Sequence, residues 1–315
     1  RSLFRNTFTG ELVRHTTFTN SIKLLEQAGL IERWQGGNIK NHFHKENKNE
    51  AYHPGLASRF RATNKLIELA AAANLTFANA KSHFLTELPR QTLHLKATKK
   101  VLSAGRKDIG RALKFAANAQ TTTLKDQVQN INTYLIEHEL VGGLFAGYIR
   151  RFSEGDHKDF NWDRGGRLYA VGSDSYQLMK KAQRLQMHIN GSPIAEIDIS
   201  ASYLTMLHAL LGVPLPPTDD LYDIEGLPRD IVKAFVTATI GNNKFHARWP
   251  AKLSQELKKQ GFDLSKTPMR LVQTKVCKAL PVLAAWEQQP ISWSRLMFME
   301  SEQMLSTMEE LRDTY

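Results

Sequence analysis

Only one cysteine, Cys277, stands among the 315 residues. No internal disulfide is possible, so the fold must rest on packing; a reducing compartment fits that usage. No apolar run approaches the roughly 18–20 residues that a membrane span needs. No internal repeat and no low-complexity tract is visible, which argues against a solenoid. Carboxylates are scarce in one half only. Residues 1–150 carry 22 Lys+Arg against 11 Asp+Glu, while residues 151–315 carry 20 against 20. The net charge of +11 therefore belongs wholly to the first half. A basic half beside a neutral half points to a surface that holds a polyanion next to a domain with another task.

What is there describes a globular chain. Apolar residues make up 42% and charged residues 23%, which excludes a largely disordered protein. The length suggests two or three domains.

The first local signal lies at 16–37. Several cap residues precede Ile22, Leu24, Leu25 and Ala28 at helical spacing, and Gly29 can stop the helix. Leu30 to Trp34 alternates like a strand, and Gly36-Gly37 permits a tight turn. The order resembles the second half of a winged-helix domain, with Thr19, Asn20 and Lys23 on the helix and Arg33, Gln35 and Lys40 on the wing. An ordinary helix-strand unit is the other reading. Residues 38–58 read as a polar linker. Its His42, His44 and His53 have no cysteine or acidic partner at ligand spacing, so no zinc site is expected.

A helix is expected within 61–80. Residues 92–118 carry Lys96, Lys99, Lys100, Arg106, Lys107, Arg111 and Lys114. They read as a phosphate-tracking surface or as a solvated helix face. Val128, Ile131 and Leu135 predict a helix over 123–138, broken by Gly142-Gly143.

The densest chemistry lies between Asp163 and Gly241. Asp163-Arg164-Gly165-Gly166-Arg167-Leu168-Tyr169 is a glycine turn flanked by arginines, which grip phosphate with a planar fork. Lys180, Lys181 and Arg184 follow, then an Asn190-Gly191 turn. Residues 193–200 read as a buried strand ending near Asp198, ahead of an amphipathic helix to Gly212. A carboxylate at a strand end suits a divalent metal; a helix N-cap is the competing reading. Arg229 and Lys233 share one face of a helix running from Pro228 to Ile240. They suit a triphosphate, or form a surface basic pair.

In order, these segments resemble a known superfamily. Asp198-Ile199-Ser200-Ala201-Ser202-Tyr203 resembles the first catalytic motif of the DNA polymerase I family. Arg229-x-x-x-Lys233 with Gly241 downstream resembles that family's fingers motif. Residues 163–171 resemble a segment of the single-subunit phage-type RNA polymerases. The resemblance covers roughly 160–250. It implies two-metal nucleotidyl transfer with Mg²⁺ or Mn²⁺ on Asp198 and a second aspartate, and Lys233 and Arg229 on the phosphates. It implies Ser200, Tyr203 and Gly241 around the nucleotide, with Tyr203 excluding a 2′-hydroxyl and so favouring DNA synthesis. It implies Arg164, Arg167 and Tyr169 against template or primer.

The sequence also departs from the pattern. Ile240 stands where the family has a tyrosine before the fingers glycine, and no His-Asp pair is found. The resemblance implies that the chain continues past Tyr315 and supplies that pair within about twenty residues.

The expectation is an α+β, helix-rich chain in three parts. Residues 1–58 form a winged-helix-like DNA-binding segment, 59–150 a basic helical neck, and 151–315 a partial polymerase-like palm and fingers. DNA and nucleoside triphosphates are the expected partners. The cytoplasm of a bacterial or phage-infected cell is the expected place. A non-catalytic DNA-binding replication initiator or regulator with a degenerate polymerase-like domain is the alternative. The carboxylate-poor first half argues against a proofreading exonuclease.

Overall fold

The computed structural model describes residues 15–34, 58–76, 79, 87–99, 110–172, 175–284 and 286–314. Among the described residues, nine α-helices and three small sheets make an α+β protein. No helix among them is long and apolar enough to cross a membrane. The chain divides into two compact units: residues 1–89 with 143–147 and 170–179, and residues 90–142 with 148–169 and 180–315. The stretch 59–150 is thus shared between both units.

The first unit holds α1 (His15–Gln27), β1 (Ile31–Trp34), β2 (Arg59–Ala62) and α2 (Asn64–Ala72). Gly29, at φ +68°, ends α1 in the left-handed region that favours glycine. β1 pairs antiparallel with β2, Ile31 opposite Ala62. Thr63 joins the pieces. Its hydroxyl accepts from Leu66 N at the start of α2 and donates to Gly29 O at 2.8 Å. The helix, glycine and strand order matches the sequence expectation. The expected wing turn, with Gln35 and Lys40, lies outside the described residues, as do His42, His44 and His53. Neither α1 nor α2 contains a buried residue. Leu24, Ile67 and Leu69 are all more than half exposed, so the apolar faces read from sequence are not core.

The second unit begins with a four-stranded sheet in the order β4 (Ala112–Leu113), β3 (Leu93–Lys96), β6 (Tyr148–Phe152), β7 (Gly165–Ala170). β3 runs antiparallel to β4 and parallel to β6. The basic helical reading of 92–118 is corrected here, because its described residues are strand and loop. Leu93 and Leu95 are buried while His94 and Lys96 are partly exposed, the period-two pattern of a half-buried strand.

Helix α3 (Ala119–Ile136) packs on this sheet. Asn118 and Thr121 form a capping box at its start. Val128 and Ile131 face inward as their spacing predicts. Asn132 clasps Tyr148, donating to its carbonyl at 2.9 Å and accepting from its N–H at 2.6 Å.

Smaller elements follow: β5 (Leu140–Val141), α4 (Lys181–Arg184), and a hairpin of β8 (His188–Ile189) and β9 (Ser192–Pro193) turning at Asn190-Gly191. The strand expected over 193–200 ends at Pro193. Residues 194–200 form no strand, and Ile197 is 90% exposed. Their alternating apolar residues find no neighbouring strand among the described residues. Without ladder hydrogen bonds or a buried face, the alternation has nothing to stabilise it.

The main core is helical. It joins α5 (Ser202–Leu210), α6 (Arg229–Asn242), α7 (Ala251–Lys259), α8 (Met269–Ala279) and α9 (Trp293–Thr314). Leu204, Leu207, Ile231, Phe235, Val272, Val276 and Leu296 are essentially inaccessible. Each such side chain contributes about 1.5–3 kcal/mol by burial. Pro228, Pro250 and Pro268 each stand immediately before α6, α7 and α8, where the missing N–H costs nothing. Helix α9 packs against α3, α5 and α6, and so ties the sheet to the helical core.

Candidate functional site

The glycine pair that opens β7 is where the sequence motif meets this packing. Gly165 and Gly166 have φ +80° and +78°. A Cβ on Gly166 would lie 3.1 Å from the Phe298 ring and 3.3 Å from the Arg150 guanidinium. Close backbone approach therefore requires glycine there.

Arg150 itself is fully buried. Its Nε donates to Gly166 O at 2.8 Å, one terminal nitrogen donates to Gln127 at 2.9 Å, and the other pairs with Glu302. Burial holds its pKa below the usual value, against the pull of Glu302. Sequence inspection missed this residue; its alternation with Tyr148 and Phe152 along β6 was the available signal.

Arg167, on β7, does not stand free. Its Nε donates to Glu300 Oε2 at 3.0 Å, and Nη2 donates both to that carboxylate and to Tyr203 Oη at 3.0 Å. Ser202 Oγ donates to Glu300 Oε1 at 2.6 Å. Glu300 on α9, absent from the sequence reading, is thus the hub joining β7 to α5. Burial works against the Arg167 charge, but Glu300 and Tyr203 raise its pKa on balance. The Tyr203 phenol is pushed up to about 12, by burial first and with Glu300 adding to the rise. It remains a neutral hydroxyl at physiological pH.

Asp198 lies in the exposed segment before α5, with exposed Ser200 beside it. It is not at a strand end, as expected, because the strand is absent. Nor is it an N-cap: Ala201, at φ +48°, precedes α5 with no side-chain cap bond. Its neighbourhood is visible through Tyr222, whose pKa is raised by burial first, and also by Asp220 and Asp198 against Arg229.

On α6, Arg229 pairs with Asp220 and lies 5.5 Å from the Tyr222 ring centroid. Asp220 also accepts from Tyr222 N at 2.9 Å. The Arg229 hydrogen bond, then the Tyr222 N–H, holds the Asp220 carboxyl below the usual range, and Lys233 adds to this. Lys233 is exposed. The structure thus gathers Asp220, Tyr222, Arg229 and Lys233, with Asp198 felt only through Tyr222, and Arg229 is already neutralised. Gly241 lies exposed within α6, where a Cβ would meet nothing within 4 Å, so packing gives no reason for glycine.

The remaining expected contacts divide. Arg164 is 9% exposed and bonds Glu154 Oε2 at 3.1 Å, an oxygen that also accepts from Ser294 at 2.7 Å. Arg164, expected against template or primer, is thus engaged as an internal cross-link. Tyr169 lies beneath Arg151, 4.4 Å from guanidinium to ring centroid. Arg184 is bound by Glu196 at 2.8 Å, while Lys180 and Lys181 are exposed. In the first unit Lys23 is exposed and Arg33 reaches Glu26 at 4.0 Å. Lys99 is exposed with its ammonium 5.3 Å from the Trp293 ring centroid. Lys100, Arg106 and Lys107 lie outside the described residues.

Among the described residues, no group of three or more His, Cys, Asp or Glu side chains is arranged to hold a metal ion. Asp198 and Asp220 alone do not make a two-metal site, and Asp220 is engaged by Arg229. No family model, curated protein or solved structure matches this chain.

Proposed function

We propose that this protein performs template-dependent nucleotidyl transfer, most readily DNA synthesis, through the Asp198 side of α5 and the Arg229–Lys233 face of α6. One observation carries the reading: α6 sets Arg229 and Lys233 beside the Asp220 carboxylate, next to Tyr222, whose phenol also feels the Asp198 charge. Such a face can hold the negative charge of a triphosphate while leaving a carboxylate near the reacting end. Tyr203, anchored by Arg167, supports a bulky check on the sugar. DNA and nucleoside triphosphates are the partners of this reading. Mg²⁺ or Mn²⁺ is the cofactor that the polymerase resemblance implies, but the described carboxylates do not complete its site. No step is therefore assigned to it.

A second reading has its own observation. Arg229 is closed by Asp220, and Asp198 sits on exposed, irregular chain. Both suit a DNA-binding initiator or regulator in which the catalytic residues are inherited scaffold. Triphosphate affinity, measured by fluorescent-nucleotide titration of the wild type and Lys233→Ala, separates the two. Nucleotidyl transfer predicts weaker binding by about tenfold, the effect of losing one charge-assisted contact of about 1.4 kcal/mol. No measurable triphosphate binding by either protein favours the second reading.

A further inference from the structure

The sheet of the second unit carries a group of cations that the proposed function does not use. β3 and β6 are in parallel register with His94 opposite Arg151. Leu93, Leu95 and Phe152 are buried. By strand alternation, His94, Lys96 and Arg151 therefore share the opposite face. Arg151 covers the Tyr169 ring of β7 at 4.4 Å. Lys99, just past β3, covers the Trp293 ring at 5.3 Å. It is close enough to Lys96 to depress that ammonium's pKa, after burial and Arg151.

These cations differ from five arginines of the same unit. Arg150, Arg164, Arg167, Arg184 and Arg229 each pair with a carboxylate. Among the described residues, Lys96, Lys99 and Arg151 pair with none, and the His94 imidazole lies beside them. Arg151 Nε is buried with no acceptor. The pKa of His94 is lowered by burial first, then by Arg151, and Lys96 lowers it further. Cations crowded together, as partly buried Lys96 and Arg151 are, cost stability. An external polyanion removes that cost.

We propose that this face of the β3–β6–β7 sheet binds the phosphodiester backbone of a single nucleic-acid strand. Three features favour that occupant. Positions 94 and 96 repeat at about 7 Å along the strand, the scale on which phosphates follow one another along an extended chain. Arg151 adds a planar guanidinium that suits a phosphate. Rings interleaved with cations are the usual lining of single-strand channels. The inference does not depend on the Asp198 site being catalytic.

The test is binding of a labelled oligothymidylate to the full chain, followed by fluorescence anisotropy across a salt series. Lys99→Gln, an exposed change, should lower affinity several-fold and flatten the log–log salt slope by about 0.7, the value per single-strand phosphate contact. Lys96→Gln with Arg151→Gln should flatten it by about twice as much. Circular dichroism and melting identify a variant that has lost its fold, in which case Lys99→Gln alone decides. Lys266→Gln, an equal charge change elsewhere, should leave the slope unchanged. Slopes unchanged in Lys99→Gln, no oligothymidylate binding by the wild type, or binding only to anionic phospholipid vesicles would each overturn the proposal.

Discussion

At the scale of single residues, Glu300 is the most consequential group that sequence inspection did not single out. It sits on the inner side of an otherwise amphipathic helix, where a glutamate reads as surface, and only the fold brings Arg167, Ser202 and Tyr203 to it. Its charge contributes to the high pKa of Tyr203. Glu300→Gln should therefore lower that pKa from about 12, read by NMR titration of the labelled tyrosine ring. Gly166 is legible as a turn residue, but its positive φ and its contact with Phe298 are not. Gly166→Ala should destabilise the fold by about 1–3 kcal/mol in a denaturant titration, through backbone strain and crowding together.

At the scale of elements, the strongly periodic helices are those the sequence shows. α6 begins after Pro228 and buries Ile231, Phe235 and Ile240 as its spacing requires. α9 buries Ser294, Leu296, Ser301 and Leu305, while Met304 and Leu311 stay exposed. Two of these inner positions are serines because they serve hydrogen bonds: Ser294 to Glu154, and Ser301 to Gly166 O. An apolar tally cannot reveal that. Phe235→Ala removes the centre of the helical core and should cost about 3–5 kcal/mol, measured by chemical denaturation.

β3 carried a visible signal, the Leu-His-Leu-Lys alternation, hidden by the basic run around it. The same strand sets a pH dependence. The folded pKa of His94 is depressed below 6.5, by burial first and then by Arg151. Its contribution is fully present above the unfolded value and is lost as pH falls through 6.5 toward the lower folded pKa. Melting temperature should therefore drop over that acidic interval, and His94→Gln should drop less. An equal loss in His94→Gln would place the sensitivity elsewhere.

At the scale of the whole molecule, the sequence shows the charge asymmetry, from which a polyanion surface is expected, but not the layout of the charges. Arginines in the second half that suggested nucleic-acid contacts, Arg164, Arg167 and Arg184, are all engaged by internal carboxylates. Lys96, Lys99 and Arg151, on or beside the sheet, pair with no carboxylate among the described residues. The candidate centre was legible as two pieces, Asp198 and the α6 cations. The structure adds Asp220 and Tyr222 between them, residues whose role depends on tertiary approach.

The most direct measurement is template-dictated primer extension by the full protein with Mg²⁺ or Mn²⁺, comparing the wild type with Asp198→Ala. Nucleotidyl transfer predicts extension that follows the template, prefers dNTPs, and disappears in Asp198→Ala while nucleic-acid binding persists. Equal inertness of both proteins across primers and metals, with both still binding DNA, would contradict it.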